Sequence, residues 1–193
     1  MRKTMTMLMT VLAVASVAAG GANVGQMAPD FNLLDTKGNS VSLSDFEGKI
    51  VVLEWLNPDC PYVKRHYKAG TMKKLVSAYA GKGVVWLTIN STNYMDAAAN
   101  AKFKEANDLP YTILVDQSGK VGHLYDAKTT PHMNIIDGGG KLVYIGAIDD
   151  DPRGNKGEPV TNYVAAALDE VLAGKAVTIA ETKPYGCSVK YKQ

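Results

Sequence analysis

Cysteine is scarce in this 193-residue chain, which has two, Cys60 and Cys187. A framework of several disulfides is therefore excluded, and the fold must rest on an ordinary hydrophobic core. Excess charge is scarce too. Lys and Arg total 21 against 19 Asp and Glu, and the two surplus cations are Arg2 and Lys3. No acidic residue precedes Asp30, so the rest of the chain is electrically balanced. That excludes the basic face of a nucleic-acid binder and the polyacidic tail of a solvating protein. Internal repeats, low-complexity linkers and a second long apolar run are absent. The 46% apolar content is too high for a disordered or fibrous chain. About 170 residues beyond the amino terminus suit one domain.

The amino terminus has its own pattern. A short cationic start is followed by an apolar run from Met5 to Ala19 and then by small residues through Ala22. This is the layout of a secretory signal, with cleavage expected after Ala19 or within Gly20–Ala22. The run is shorter than the ~20 residues of a spanning helix. No cysteine precedes Cys60 to carry a lipid. The expectation is a leader over 1–22, a domain over 23–193 with a tail over 174–193, a secreted or periplasmic location, and no stable membrane insertion.

Downstream, Phe31–Leu43 reads as two short strands about the turn residues Asp35–Asn39. Ile50–Leu56 and Val84–Asn90 are near-continuous apolar runs, as strands buried on both faces are. A helix is expected from Cys60 to about Tyr79 and another over Met95–Asn107. Thr112–Asp116 gives a further strand. Pro131–Asp137 and Lys141–Ala147 form a hairpin about Gly138–Gly140, and a last helix runs over Pro159–Ala173. The order of elements specifies an α/β fold with a central mixed sheet flanked by helices, an N-terminal β-hairpin and a C-terminal tail.

Cys60 carries the chemistry. It follows a buried strand and the break Asn57-Pro58-Asp59, and Pro61 behind it suits the first turn of a helix. Unpaired N–H groups at a helix start favour a thiolate. Lys64 and Arg65 in the next turn are expected to add to the effect. The competing reading is an inert, buried structural cysteine.

Four segments carry a resemblance: Met27-Ala28-Pro29-Asp30-Phe31; Leu43-Ser44-Asp45-Phe46-Glu47-Gly48-Lys49 with the strand after it; Trp55-Leu56-Asn57-Pro58-Asp59-Cys60-Pro61-Tyr62; and Thr129-Thr130-Pro131-His132-Met133. In this order and spacing they resemble the redoxin branch of the thioredoxin fold, which includes the alkyl hydroperoxide reductase/thiol-specific antioxidant relatives and exported TlpA-like thiol–disulfide proteins. The resemblance implies an oxidoreductase acting through Cys60. It implies a cis peptide at Thr130-Pro131, with a backbone edge left open beside the thiol for a substrate strand. Glu54 takes the place of a buried carboxylate that relays protons. Trp55, Pro61, Thr130, Pro131 and His132 become substrate-binding candidates. No cofactor and no metal is implied.

The chain also departs from the pattern. The fourth position of Cys60-Pro61-Tyr62-Val63 holds no cysteine, so no dithiol exists within the motif. The peroxidase pattern Pro-x-x-x-Thr-x-x-Cys meets Leu53 and Asn57 instead. Cys187 lies in the tail Lys183-Pro184-Tyr185-Gly186-Cys187-Ser188-Val189-Lys190-Tyr191, long enough to reach the Cys60 turn. Three readings stand open. Cys187 is a remote resolving thiol; or it forms a permanent bridge with Cys60, worth roughly 5 kcal/mol in the loop-entropy picture; or both thiols stay reduced or pair between molecules. The activity expected is thiol–disulfide exchange with a thiol or disulfide protein substrate. The rivals are a thiol-dependent peroxidase acting on peroxide and a non-catalytic binding module. A Cys60–His66 metal pair is set aside because copper chaperones of this fold carry a second cysteine four residues on, where this chain has Lys64, and His123 and His132 lack ligand spacing. Asp149-Asp150-Asp151 is expected to be a solvated turn.

Overall fold

The computed structural model describes residues 21–157 and 159–192. All but the last two residues of the expected leader lie outside them. Strands β1 (Asn32–Asp35), β2 (Ser40–Ser42), β3 (Ile50–Trp55), β4 (Val84–Asn90), β5 (Thr112–Val115), β7 (His132–Ile136) and β8 (Leu142–Gly146) form one sheet in the order β2-β1-β5-β4-β3-β7-β8. The β3, β4 and β5 strands are parallel, and β1, β2, β7 and β8 add antiparallel edges. The expected mixed sheet and amino-terminal hairpin are therefore present. A separate two-stranded ladder joins β6 (Thr129–Thr130) to β9 (Cys187–Ser188).

The alternation of side chains along β3 divides the core. Val52 and Leu56 face one layer with Val63, Met72, Leu75, Tyr79, Val164 and Leu168. These come from α1 (Pro61–Lys68), α2 (Thr71–Tyr79) and α5 (Tyr163–Leu172). Val51, Leu53 and Trp55 face the other, with Leu87, Ile89, Val121, Tyr125 and Val189. The helix α3 (Ala97–Ala106) packs against β5 and adds Phe103 to the first layer, and the short α4 (Lys120–Leu124) adds Val121 to the second.

Several boundaries differ from expectation. The single helix expected over Cys60–Tyr79 is two, because Gly70 adopts the left-handed conformation (φ 70°) and starts α2 afresh. The last helix begins at Tyr163, where the Asn162 side chain accepts the Ala165 N–H, and Pro159 lies outside it. The helix α4 and the β6–β9 ladder were not expected. Both consist of fewer than six residues, too short for periodicity to register.

A buried polar chain braces the end of β3. Trp55 Nε1 donates to Ser91 Oγ (3.2 Å), which donates to Asp116 Oδ2 (2.6 Å). Asp116 also accepts the N–H groups of Val121 (3.2 Å) and Gly122 (2.8 Å), joining α4 to the sheet. Asp116→Ala strips these three donors, and the Ser118 hydroxyl (3.3 Å), of their acceptor inside the protein. It is expected to cost about 3 kcal/mol, read as a lower urea midpoint with an unchanged m-value.

Candidate active site

Cys60 caps α1 with extended backbone (φ −69°, ψ 124°), and Pro61 occupies the first helical turn. The turn before it is internally bonded. The Cys60 N–H donates to Asn57 O (3.0 Å), and Asn57 Oδ1 accepts the Asp59 N–H (2.9 Å). The thiol is 2% exposed and donates to the Thr130 carbonyl at 3.0 Å. The Thr130–Pro131 peptide is cis, as the resemblance implies.

The edge beside the thiol, however, is not open. The tail returns across the domain, and β9 pairs antiparallel with β6, setting Thr129 opposite Ser188 and Thr130 opposite Cys187. The Val189 N–H extends the ladder to Lys128 O at 3.1 Å. Gly186 makes this approach possible. Its φ is 142°, and a Cβ there would lie 2.0 Å from the Thr130 carbonyl oxygen. Cys187 thereby comes within hydrogen-bond reach of Cys60, both as thiols, Cys187 the more exposed of the two.

The electrostatics follow from this pairing. Burial pushes the Cys60 thiol up, but hydrogen bonds from the Cys187 thiol and from the Val63 and Cys187 N–H groups outweigh it and leave the thiol below its ordinary value. Lys64 and Arg65, expected to add to this effect, are not among its main causes. Arg65 turns instead to the tail, where its Nη2 lies 3.3 Å from Tyr185 Oη and its guanidinium 5.8 Å from the ring centroid. Burial, hydrogen bonding to Cys60 and the negative charge on Cys60 together raise Cys187 to about 11.

Tyr185 is a feature the sequence did not single out. Its hydroxyl bonds Asp149 Oδ1 and lies 2.9 Å from His66 Nε2. Asp149, expected in a solvated turn, is 8% exposed and anchors the tail. Burial holds His66 down to about 4 against the pull of Asp149, and it stays neutral. The only hint in the sequence was the Pro-Tyr-Gly-Cys punctuation of the tail; a contact spanning 119 positions has no local signal.

The remaining candidates fall into two groups. Glu54 is fully buried on the Cys60 side of the sheet, accepting from Tyr67 Oη (3.0 Å), Trp86 Nε1 (2.9 Å) and Thr88 Oγ1 (3.3 Å). Burial raises it to about 7 despite those donors. Pro61 is exposed beside the thiol, whereas Thr130 and Pro131 are buried under β9. Trp55 and His132 correct the expectation. Both face the opposite layer, with Trp55 wholly buried and His132 3% exposed, and their rings lie 6.2 Å apart. They support the strand ends and offer no surface to a substrate. Among the described residues no cluster of three His, Cys, Asp or Glu is arranged to hold a metal.

Known proteins share this framework. The family model described as AhpC/TSA family matches residues 24–145. The thiol-disulfide oxidoreductase ResA of Halalkalibacterium halodurans is 28% identical over 156 residues, covering 75% of this chain and 86% of that protein. A crystal structure of an uncharacterized conserved protein from Geobacillus kaustophilus superposes with a TM-score of 0.81 at 33% identity, over 94% of this chain and 98% of that one. The thioredoxin domain of a thiol-disulfide oxidoreductase from Bacteroides vulgatus matches 65% of this chain and 89% of its own, with a TM-score of 0.56 at 26% identity. The fold is thioredoxin-like.

The buried Glu54 generates a pH signature. Its folded-state value of about 7 lies above the ordinary 4.5, so the folded protein holds this proton more tightly than the unfolded chain. Stability from this residue is complete below pH 4.5 and is lost as pH rises toward 7, by about 3 kcal/mol. Thermal unfolding across that range is expected to show a decline that is flattened in Glu54→Gln. An equal decline in the variant assigns the effect elsewhere.

Proposed function

The chain belongs to the AhpC/TSA family, and from that premise we propose that it is a thiol–disulfide oxidoreductase in which Cys60 is the nucleophile and Cys187 the resolving thiol. The observation that carries this reading is the β6–β9 pairing, which sets Cys187 beside Cys60 in a chain whose motif lacks a second cysteine. The Cys60 thiolate attacks a substrate disulfide RSSR, forming Cys60–S–SR and releasing one RS⁻, which takes up a proton. Cys187 then loses its proton and attacks the Cys60 sulfur. The Cys60–Cys187 disulfide forms and the second thiol leaves, so the pair has given two electrons to RSSR.

The pKa pattern times the second step. While Cys60 is a thiolate, its charge and hydrogen bond hold the proton on Cys187. Once Cys60 is tied up in the mixed disulfide, both influences vanish and Cys187 ionises more readily. Glu54, on the same side of the sheet, is the proton relay in this reading. The peroxidase alternative finds less support. Asn57 stands where the peroxidatic threonine would be, and its side chain is taken by the Asp59 N–H. The leader-like start supports work outside the cytoplasm, with thiol or disulfide partners. Among the described residues no helix is long and apolar enough to cross a membrane.

Single-cysteine variants test the assignment. With oxidised glutathione, Cys187→Ser is expected to accumulate a stable mixed disulfide on Cys60, by mass spectrometry of the quenched protein. The wild type is expected to pass on to the internal disulfide, and Cys60→Ser to lose at least about 100-fold in rate. Turnover by Cys187→Ser at the wild-type rate would remove the resolving role. Full activity in Cys60→Ser would leave a binding module.

A further inference from the structure

The place where this fold would take an extended substrate is filled by the protein's own tail, and the surroundings indicate what can still react. We propose, resting on the exchange reading above, that the segment 185–189 is a specificity element: it permanently holds the substrate-strand position, so that the Cys60–Cys187 pair exchanges with small, carboxylate-bearing thiols and disulfides and turns extended polypeptides away.

Three observations converge on this. First, the polar groups at the edge are spent. Thr129 and Thr130 pair with Ser188 and Cys187, Lys128 O takes the Val189 N–H, and Thr130 O also receives the Cys60 thiol. An incoming polypeptide strand has no ladder to join until the tail leaves.

Second, the tail is pinned on both sides of the cysteine, so it is built in and not a loose flap. Upstream, Tyr185 is locked by Asp149, His66 and Arg65. Downstream, the Tyr191 ring stacks on His123 at 3.9 Å and its hydroxyl donates to Ala127 O at 2.6 Å. Asn93 bonds both Lys190 O (2.9 Å) and Tyr191 O (2.8 Å). Gly119 and Gly122 leave room for that ring; a Cβ at either would sit 2.6 Å from it.

Third, an opening of small size remains beside the site. A cavity of about 370 Å³ is bounded by Pro61, Tyr62, Arg65, Pro152 and Arg153, next to Cys60 in sequence and to the Tyr185 ring, 6.0 Å from that of Tyr62. Its volume suits a small molecule. Its two guanidiniums suit a carboxylate. Arg65 Nη1 is buried against Gly154 and its Nη2 is taken by Tyr185, so Arg153 is the exposed guanidinium at the opening.

The return reaction is the exchange above run in reverse. The thiolate RS⁻ attacks the Cys60 sulfur, the Cys60–Cys187 bond breaks, and Cys187 leaves and takes up a proton. A second RS⁻ attacks the R sulfur of Cys60–S–SR, giving RSSR and the Cys60 thiolate that its neighbours favour. The pair gains two electrons and two small thiols lose them.

The test uses the oxidised protein and three reductants: glutathione, cysteamine as a small thiol without a carboxylate, and a synthetic peptide of the sequence 183–192, which can itself form the strand. Rates are compared per thiolate, and the first adduct is mapped by mass spectrometry after acid quench. Glutathione is expected to be fastest, with its adduct on Cys60. The peptide is expected to be slower by about tenfold or more, the barrier equivalent of one or two backbone hydrogen bonds. Gly186→Ala, which keeps both thiols but drives a Cβ into the Thr130 carbonyl, is expected to close that gap. Tyr185→Phe, which keeps the packing and loses only the hydroxyl, is expected to narrow it in the same direction. A peptide as fast as glutathione on the wild type, an adduct on Cys187, cysteamine matching glutathione, or a gap unchanged in both variants would each overturn the proposal. Failure of the Cys60–Cys187 disulfide to form under mild oxidation would instead overturn the exchange reading beneath it.

Discussion

The antiparallel pairing of Thr130 with Cys187 is the contact on which the site depends. It places one thiol against another across 127 positions of sequence, and it sets the depth at which Cys60 is covered. It also defines the electrostatics. The two cysteine-derived donors that lower Cys60 both come from residue 187, one from its thiol and one from its backbone. A basic side chain would act at longer range and would be screened by salt. Donors in direct contact act through hydrogen bonds, which screening touches little. The thiolate is thus stabilised by the same strand that supplies its partner.

Two buried acids show how differently the fold treats charge. Asp116 accepts N–H groups from the start of α4 together with the Ser91 hydroxyl, and so ties that helix to the sheet. Glu54 has three side-chain donors but is wholly buried, and the balance tips toward the neutral acid near pH 7. The first holds an element in place. The second is held toward its protonated form by burial, the property on which the proposed relay draws. Both sit one layer below the chemistry, on the two faces of the sheet.

Much of this was legible in the sequence because it is local. IVVLEWL reads as a buried strand, Asn57-Pro58-Asp59 as its end, and Cys60-Pro61 as a helix start; the structure agrees at each. The split at Gly70 was missed because Val63, Tyr67, Met72 and Leu75 stay roughly in phase across it. What could not be read is the direction of side chains set by distant contacts. Arg65 lies five residues from Cys60 and 120 from Tyr185, yet it serves Tyr185. Trp55 is adjacent to the active turn in sequence but faces the other layer, since neighbouring residues in a strand point to opposite sides. Asp149 looked solvated because its two acidic neighbours are.

A remote thiol has a thermodynamic consequence that a local one lacks. In a C-x-x-C motif one helical turn brings the sulfurs together, so closing the ring costs little and the disulfide adds little to stability. Here closure spans most of the domain, and its entropic cost is large. The structure offsets that cost without the covalent bond: Tyr185, Gly186, Val189 and Tyr191 dock the tail while both sulfurs are thiols. Cys187 therefore already stands at high effective concentration before oxidation, which favours the disulfide by the free energy the anchors have supplied. Reduction in turn leaves a folded tail and not a frayed one. The groove is already closed while both sulfurs are thiols, and that closure is the physical basis for the proposed selection of small partners.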